Sequence, residues 1–328
     1  MYTPVKIAVY LRHSVPCWNF REPQIRRLRQ LLPDTKLAVC ESRERFLEEL
    51  TDADTCMIWT FKQDWFQAAP KLRLLSTPAA GKDYFQVVFP ENVALMNGQF
   101  HGAIIAETVS GFLLGIMRGI LPSATNYPDN PWPRVEVGSN IRMLHGSHLA
   151  ILGFGHIGQE IGKLLKAFGV RITGVKRNPN IPKPDWFTDG DRIVAASECE
   201  AVLPTVDAVI CALPATPETT AFLNAKRIAL LPRHAVIVNI GRGNAIEEGA
   251  LCDALRERRI FGAGIDVFTQ EPLPAGHPFL SCPNLWRLPH DSAVSDDYLT
   301  RYVEDFVRQL ALPLVHPTFI PAAPTATV

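Results

Sequence analysis

The sequence lacks an excess of charge of either sign. Its 328 residues include 33 Lys and Arg against 33 Asp and Glu, so the net charge is zero. Proteins that bind nucleic acid or membrane surfaces carry a basic excess or patch, so neither partner is expected. A long apolar run is lacking too, because residues 103–121 are interrupted by Glu107 and Arg118. A membrane-spanning helix needs about 20 nearly uninterrupted apolar residues, so this stretch predicts a buried helix.

Cysteine pairs of the C-x-x-C type are also absent. The seven cysteines stand mostly in apolar runs, as Cys211 does in Ala-Val-Ile-Cys-Ala-Leu. This usage is typical of buried thiols in a reducing compartment. The first ten residues have no basic flank leading into an apolar core, so they do not resemble a signal peptide. The cysteine usage and the N-terminal residues together predict a cytoplasmic protein. His, Cys, Asp and Glu form no cluster with metal-ligand spacing, so we expect no metal.

The composition and the apolar pattern indicate the fold class. Hydrophobic residues make up 47% and charged residues 20%, which excludes a disordered chain. At about 100–200 residues per domain, the chain has room for two domains. Short apolar runs alternate with helix-period segments, which predicts an α/β fold with two doubly wound parallel-sheet domains, Rossmann-like or flavodoxin-like. The predicted strands are 5–11, 37–40, 56–59 and 72–75 in the first domain, and 148–152, 170–175, 208–213, 235–240, 262–267 and 285–288 in the second.

A glycine loop opens the second domain. Residues 153–158 read Gly-Phe-Gly-His-Ile-Gly, between an apolar strand and an amphipathic helix, which is the context that the dinucleotide-binding fingerprint requires. Gly153 would make the tight turn, Gly155 would let the backbone approach the pyrophosphate, and Gly158 would let helix and strand pack closely. The helix begins at His156 and Ile157, where its N–H groups would bind phosphate. An ordinary strand–helix turn that needs glycines is the alternative interpretation.

The strand after the glycine loop indicates which cofactor binds. NAD sites usually carry Asp or Glu about 20 residues after the glycines, to hold the ribose 2′-hydroxyl. Here Lys176 and Arg177 stand at that place. A carboxylate would repel a 2′-phosphate, whereas a guanidinium grips it in two places, so NADP is favoured over NAD. Two solvated surface cations are the other interpretation.

Three charged residues follow successive predicted strands of the second domain: Arg242, Glu271 and His290. Because ligands bind beyond the carboxyl ends of strands in open α/β sheets, these side chains are candidates for one site. Arg offers a bidentate fork to a 2-oxo acid, His supplies a proton, and a carboxylate beside the His raises its pKa. Taken singly, each residue has an ordinary structural interpretation. Arg242 could only stabilise its loop, Glu271 could be a solvent-exposed turn residue, and His290 could be a capping or core histidine.

These motifs, in this order, resemble the D-isomer-specific 2-hydroxyacid dehydrogenase family. The resemblance covers residues 70–310 well and the earlier residues only by pattern. Besides the glycine loop, it rests on Leu-Pro-Ala-Thr-Pro-Glu-Thr-Thr at 213–220, Val-Asn-Ile-Gly-Arg-Gly at 238–243, Gly-Ile-Asp-Val-Phe at 264–268 with Glu-Pro-Leu at 271–273, and Leu-Pro-His at 288–290.

The resemblance implies a role for each matching residue. His290 would be the catalytic acid and base with Glu271 as its partner, and Arg242 would bind the substrate carboxylate and orient the keto group. Backbone N–H groups of Ala80 and Gly81 would bind the same carboxylate. Around the cofactor, the resemblance implies Asp266 at the nicotinamide carboxamide, Ile240 near the nicotinamide, Leu213, Pro214 and Thr219 on the adenosine side, and Thr108 close by.

The family fold also implies the domain organisation. The substrate domain is expected at 1–102 plus 293–328 and the cofactor domain at 103–292, with the substrate in a cleft between them. Family members are commonly dimers through the cofactor domain. The segment 121–146, rich in Pro, Asn and Gly, is the expected dimer arm.

The leading hypothesis is a reductase that transfers hydride from NADPH to a small 2-oxo acid, such as glyoxylate or hydroxypyruvate, with the proton from His290. One alternative is a nucleotide-sensing interaction protein of the same fold with little catalysis, against which Arg242, Glu271 and His290 together argue. A phosphite dehydrogenase is another. Formate enzymes of this fold pair their His with Gln, so Glu271 argues against formate. Asp291, directly after His290, departs from the family pattern and is expected to face solvent.

Overall fold

The computed structural model describes residues 2–81 and 85–317. The chain divides into two compact units. The first runs from the N-terminus to His101 and resumes at Val294, and the second is Gly102–Ala293. Residues 318–328, which the sequence analysis assigns to the substrate domain, lie outside the described residues.

The first unit contains a five-stranded parallel sheet. Its strands are β1 Lys6–Tyr10, β2 Lys36–Val39, β3 Thr55–Ile58, β4 Leu74–Thr77 and β5 Ala94–Asn97, and its first helices are α1 Glu22–Leu31 and α2 Arg43–Leu50. The strand order is β2-β1-β3-β4-β5, and every pairing is parallel. The order reverses between β1 and β3, and open α/β sheets bind ligands beyond the carboxyl ends of the strands at such a point.

The second unit contains a seven-stranded parallel sheet. Its strands are β6 His148–Leu152, β7 Arg171–Lys176, β8 Arg192–Ala195, β9 Ala208–Cys211, β10 Val236–Asn239, β11 Gly262–Ile265 and β12 Leu285–Arg287. Its helices are α3 His101–Met117, α4 Ile120–Thr125, α5 Arg134–Gly138, α6 His156–Leu165, α7 Cys199–Val202, α8 Ala225–Ala229 and α9 Glu248–Arg256. The order β12-β11-β10-β9-β6-β7-β8 reverses between β6 and β9. The chain then returns to the first unit with α10 Tyr298–Leu310.

Both faces of the second sheet are buried, which explains why its central strands are continuously apolar. Successive side chains of a strand point to opposite faces. In β6, Ala150 and Leu152 accordingly pack in one hydrophobic cluster, while Leu149 and Ile151 pack in the other. The two clusters hold the strand ends, and the loops that follow them, in a fixed arrangement.

The predicted fold class is confirmed, with two strands that the pattern did not indicate. Both β5 and β8 are four residues long and lie at the edge of their sheets, and β8 is partly exposed. The sequence of β8, Arg-Ile-Val-Ala, lacks the continuous apolar run that marks the central strands, whereas β5 is apolar and buried up to Asn97 but only four residues long. The helix predicted within 103–121 is present as α3 but ends at Met117, because Gly119 adopts a left-handed φ of 74° before α4 begins. Across the described ranges, no helix is long and apolar enough to cross a membrane.

Phe154, within the glycine loop, is a core residue. Its ring is fully buried and lies 5.7 Å, centroid to centroid, from the ring of Phe187. Gly174 in β7 makes room for it, because a Cβ at that position would lie 2.4 Å from Cγ of Phe154. The loop that follows β6 is therefore anchored to the hydrophobic core by the side chain of Phe154.

Replacing Gly174 by Ala is expected to lower the free energy of unfolding by about 1–3 kcal/mol, because the buried ring must shift to admit the methyl group. The glycine loop should move with Phe154, so the Kd for NADPH should rise. Urea unfolding and calorimetric titration measure the two effects.

Gly111→Ala is the matched control. A Cβ on Gly111 meets no atom within 4 Å, and Ala is the better helix former by about 1 kcal/mol. Equal stability and equal NADPH affinity in the two variants would contradict the role of Gly174.

Candidate active site

The glycine loop has the geometry that a dinucleotide needs. Gly153 has a φ of 89°, and a Cβ there would lie 2.5 Å from the carbonyl oxygen of Ala212. A Cβ on Gly158 would lie 2.5 Å from the carbonyl oxygen of Gly153. Gly155, at the N-cap of α6, has no atom within 4 Å of its Cβ position. The two tight contacts set the turn, while the space beside Gly155 and the first turn at His156 and Ile157 is open to a phosphate.

Lys176 and Arg177 lie at the carboxyl end of β7, next to the glycine loop. Lys176 is the last residue of the strand and half-buried, and Arg177 is exposed. The pKa of Glu218, in the loop after β9, is lowered by a hydrogen bond with Thr216 and also by the positive charge of Arg177. Because β6 lies between β7 and β9, the basic pair and this loop flank the glycine loop from both sides.

The loop after β9 contains the residues assigned to the adenosine side. Leu213 is half-buried and Pro214 is exposed. Thr219 is buried, and its hydroxyl donates to the carbonyl oxygen of Pro214 at 2.5 Å and accepts from the N–H of Thr216 at 2.9 Å. The Thr219 hydroxyl thus shapes the loop that presents Leu213 and Pro214.

Arg242 is held in a loop that two glycines press against neighbouring backbone. A Cβ on Gly241 would lie 2.5 Å from the carbonyl oxygen of Leu213, and one on Gly243 would lie 1.9 Å from the carbonyl carbon of Phe268. The buried amide of Asn239 bridges the turn, accepting from the N–H of Gly241 and donating to the carbonyl of Arg242, both at 3.2 Å. The backbone of the Arg242 loop is therefore held against the loops that follow β9 and β11, and the half-buried Arg242 side chain donates to the carbonyl of Gly241 at 2.9 Å.

His290 and Glu271 form a hydrogen-bonded pair. Nδ1 of His290 lies 2.7 Å from Oε2 of Glu271. The other carboxylate oxygen accepts from the backbone N–H of Phe268 at 2.9 Å. With Nδ1 engaged, Nε2 is the ring nitrogen left to exchange a proton, and the His290 side chain is 36% exposed.

Asp266 holds the backbone that presents His290. Its carboxylate is fully buried and accepts from the N–H of Asp291 at 2.7 Å and from the N–H of Ser292 at 3.1 Å. Its carbonyl oxygen accepts from the N–H of His290 at 2.9 Å. His290 itself has a φ of 59°, an unusual value for a residue with a side chain. These bonds fix a backbone turn that the His would otherwise disfavour.

Two more cofactor candidates border this turn. The hydroxyl of Thr108 in α3 donates to the carbonyl of Ser292 at 3.0 Å. Ile240, directly after β10, is buried. Asp291 is exposed, as the sequence analysis expects. Partial loss of solvent around its carboxyl, and the charge of the nearby Asp266, raise the pKa of Asp291.

The pKa values of the pair move in opposite directions. Burial by itself would lower the pKa of His290, but the hydrogen bond and negative charge of Glu271 outweigh it and raise the pKa. Burial by itself would raise the pKa of Glu271, but the hydrogen bond and charge of His290 hold it below its ordinary value. The charge of Arg242 lowers both values, so all three groups lie in one electrostatic environment.

Ala80 and Gly81 belong to the first unit, so the structure describes them separately from the residues above. They follow β4, and Ala80 is exposed. The side-chain amide of Asn97 donates to the carbonyl oxygens of Gly81 at 2.9 Å and Ala79 at 3.3 Å. Asn97 therefore holds the shape of this loop.

Sequence reasoning missed three residues that organise these loops, Asn97, Asn239 and Ser292. It also missed that Asp266 anchors residues 291 and 292. One signal was available, since Asn97 and Asn239 are polar residues that end otherwise apolar strands. Within the residues that the structure describes, no group of three or more His, Cys, Asp or Glu is placed to hold a metal ion.

The family model "D-isomer specific 2-hydroxyacid dehydrogenase, NAD binding domain" matches residues 110–292. The match covers more than half of the chain, which therefore belongs to the D-isomer specific 2-hydroxyacid dehydrogenase family.

Known relatives agree with this family. The chain is 30% identical over 270 residues to D-3-phosphoglycerate dehydrogenase of Methanocaldococcus jannaschii, covering 80% of this chain and 50% of the relative. It is 30% identical over 286 residues to glyoxylate reductase of Thermofilum pendens, covering 82% of this chain and 80% of the relative. A solved family protein from Aeromonas salmonicida has a TM-score of 0.71 and 30% identity, over 89% of this chain and 94% of that one. The chain thus spans about half the length of the phosphoglycerate dehydrogenase.

Replacing Glu271 by Gln is expected to lower the pKa of His290. The amide removes the negative charge that raises this pKa, while burial and the charge of Arg242, which both lower it, remain. NMR titration of the imidazole should give a pKa above the ordinary value for histidine in the wild type and below that value in the variant.

Glu200→Gln serves as the control, because it removes a partly exposed carboxylate that pairs with Lys226 and Arg227 instead. It should leave the titration of His290 unchanged. An unchanged titration in Glu271→Gln as well would show that the two side chains are not coupled.

Proposed function

We propose that this protein is an NADP(H)-dependent oxidoreductase that reduces 2-oxo acids to D-2-hydroxy acids. The observation that carries the proposal is the His290–Glu271 pair at 2.7 Å, on which the charge of Arg242 also acts. The raised pKa of His290 favours the protonated imidazole, which is the form that a reductase needs.

Each of the three residues would contribute one chemical action. Arg242 would bind the substrate carboxylate and polarise the keto group, since a guanidinium matches a carboxylate in a bidentate arrangement. His290 would give a proton from Nε2 to the carbonyl oxygen while the carbonyl carbon is reduced. Glu271 would hold the ring through Nδ1 and stabilise the imidazolium before that transfer. Ala80 and Gly81 would add backbone N–H groups for the carboxylate.

The bound nucleotide would supply the hydride for this reduction. Gly153, Gly155 and Gly158, with the start of α6, would bind its pyrophosphate. Lys176 and Arg177 would bind a 2′-phosphate, and their position beside the glycine loop, with no acidic residue at the end of β7, supports NADP over NAD. Leu213, Pro214, Ile240, Thr108 and Asp266 would line the rest of the cofactor site.

A homodimer through the segment 121–146 is part of the proposal. Large apolar side chains in and beside this segment are exposed: Trp132 and Val135 by 76%, Met143 by 64% and Ile120 by 62%. Exposed apolar surface of this kind is typical of protein–protein interfaces. The seven free thiols, six of them buried, support placement in the reducing cytoplasm.

Two other functions fit the observations less well. A nucleotide-sensing interaction protein would not need the hydrogen-bonded pair of His290 and Glu271, nor Arg242 close enough for its charge to lower the pKa of both groups. A phosphite dehydrogenase uses a substrate without a keto group. Relatives named glyoxylate reductase support a 2-oxo acid, with glyoxylate and hydroxypyruvate as the first substrates to test.

Absorbance at 340 nm should fall when NADPH is mixed with the protein and glyoxylate, hydroxypyruvate, pyruvate or phenylpyruvate. His290→Gln should lower kcat by about 10²–10⁴-fold, because it removes the proton donor. NADPH should bind this variant with unchanged affinity.

His234→Gln is the matched control. His234 also pairs with a carboxylate, that of Asp207 at 2.9 Å, but lies before β10, at the other end of the sheet. Its loss should leave kcat unchanged. Failure of the wild type to turn over any of the four oxo acids would rule out the reductase.

Replacing Lys176 and Arg177 together by Ala should raise the KM for NADPH by about 10–100-fold, as expected for lost hydrogen bonds to a charged phosphate. The KM for NADH, which lacks the 2′-phosphate, should change little. Arg171→Ala, which removes an exposed cation at the start of the same strand, should change neither value. Equal changes for both nucleotides in the double variant would contradict the NADP assignment.

A further inference from the structure

Three aromatic side chains cluster at the carboxyl ends of β1 and β3. His13 and Trp18 lie in the segment after β1, and Trp59 directly follows β3. The His13 ring is 4.5 Å from that of Trp18 and 5.9 Å from that of Trp59, and the two Trp rings are 5.6 Å apart. The strand order of the first sheet reverses between β1 and β3. The aromatic cluster His13–Trp18–Trp59 therefore occupies the place where open α/β sheets bind ligands.

The segment that contains two of these rings is fixed by hydrogen bonds. The side chain of Asn19 accepts from the N–H of His13 at 3.1 Å and donates to its carbonyl at 2.9 Å. Nδ1 of His13 accepts from the N–H of Val15 at 3.0 Å, and Nε1 of Trp59 donates to the carbonyl of Trp18 at 3.2 Å. A surface whose rings are already held in place binds a ligand with little loss of side-chain entropy.

The ring of Tyr298 connects the aromatic cluster to the loop that contains Ala80 and Gly81. Trp18 and Trp59 pack on the ring of Tyr298 in α10, at 5.9 and 6.1 Å. The Tyr298 hydroxyl donates to the carbonyl of Pro78 at 3.5 Å, in the segment between β4 and Ala80. The loop with Ala80 and Gly81 follows β4, and the aromatic cluster lies at the ends of the next strands of the same sheet, β3 and β1. A substrate carboxylate bound at that loop would therefore have the cluster as its neighbour.

The hydrophobic core does not account for the cluster. Phe46 and Trp65 are buried and pack in the core of the first unit. By contrast, Trp18 and Trp59 are only half-buried, and His13 is exposed. Grouped rings that stay partly open to solvent at a strand end are typical of a binding surface.

We propose that His13, Trp18 and Trp59 form the subsite for the side chain of the 2-oxo acid, and that this side chain is planar and apolar, as an aryl group is. The proposal rests on the proposed function, because it names the substrate class of that same site. Aromatic rings favour other aromatic rings through edge-to-face and offset contacts beyond simple burial. Glyoxylate has no side chain to place there, so the preferred substrate is a larger 2-oxo acid.

Steady-state reduction of phenylpyruvate and glyoxylate with NADPH tests the proposal. The wild type should have the higher kcat/KM for phenylpyruvate. Trp59→Ala should lower that value by about tenfold or more, mainly through KM, and change kcat/KM for glyoxylate by less than about threefold. Trp59→Phe, which keeps a ring, should recover most of the preference.

Phe89→Leu is the matched control, since it removes a partly buried ring of the first unit that packs on Phe66 and Phe85 instead. It should leave the ratio of the two kcat/KM values unchanged. Turnover of glyoxylate by Trp59→Ala at the wild-type rate reports that this variant is folded.

Two results would overturn the subsite and leave the reductase standing: a wild type that prefers glyoxylate, or a Trp59→Ala variant that loses both activities to the same extent. A wild type that reduces pyruvate or hydroxypyruvate but not phenylpyruvate would also overturn the subsite alone. A wild type that reduces none of the four oxo acids would overturn the reductase itself, and the subsite with it.

Discussion

The buried carboxylate of Asp266 is the constraint on which the candidate active site depends. A buried charge is costly unless hydrogen bonds compensate it, and each such bond to a charged group contributes about 1.5–3 kcal/mol. Asp266 meets this requirement with the N–H groups of Asp291 and Ser292. Because these residues directly follow His290, the bonds that stabilise the carboxylate also fix the backbone of the His, including its positive φ. The orientation of His290, the proposed acid–base residue, thus depends on a carboxylate whose displacement would be energetically costly.

Adjacent parallel strands bring the other groups to the same place. The strands β10, β11 and β12 are neighbours, so the loops that follow them lie together, and these loops contain Arg242, Glu271 and His290. Gly241 and Gly243 let the Arg242 loop approach the backbone of its neighbours within van der Waals contact. The opposed pKa shifts of His290 and Glu271 follow from this closeness, since burial alone would move each value the other way.

The fold class and the identity of the charged groups could be predicted from the sequence, because continuous apolar strands and a glycine loop have strong patterns. The edge strands β5 and β8 could not, because β8 is partly exposed and β5, although buried, is only four residues long, which is too short to show a clear period. The polar residues Asn97 and Asn239 at the ends of apolar strands were a signal in the sequence. Their partners, and those of Asp266, could not be predicted, because they depend on which backbone N–H and carbonyl groups face a side chain after folding. The clustering of His13, Trp18 and Trp59 likewise depends on β1 and β3 being adjacent, although far apart in sequence.

The pH dependence of kcat/KM for 2-oxo acid reduction tests most directly whether the Glu271-supported imidazolium of His290 is the proton donor. In the proposed reductase the protonated His290 would be the active form, so kcat/KM should be constant at low pH and fall as the pH rises through the raised pKa of His290. In Glu271→Gln the same fall should occur at lower pH, because the charge that raises this pKa is gone. A profile without that fall, or one whose position is the same in both proteins, would contradict the account.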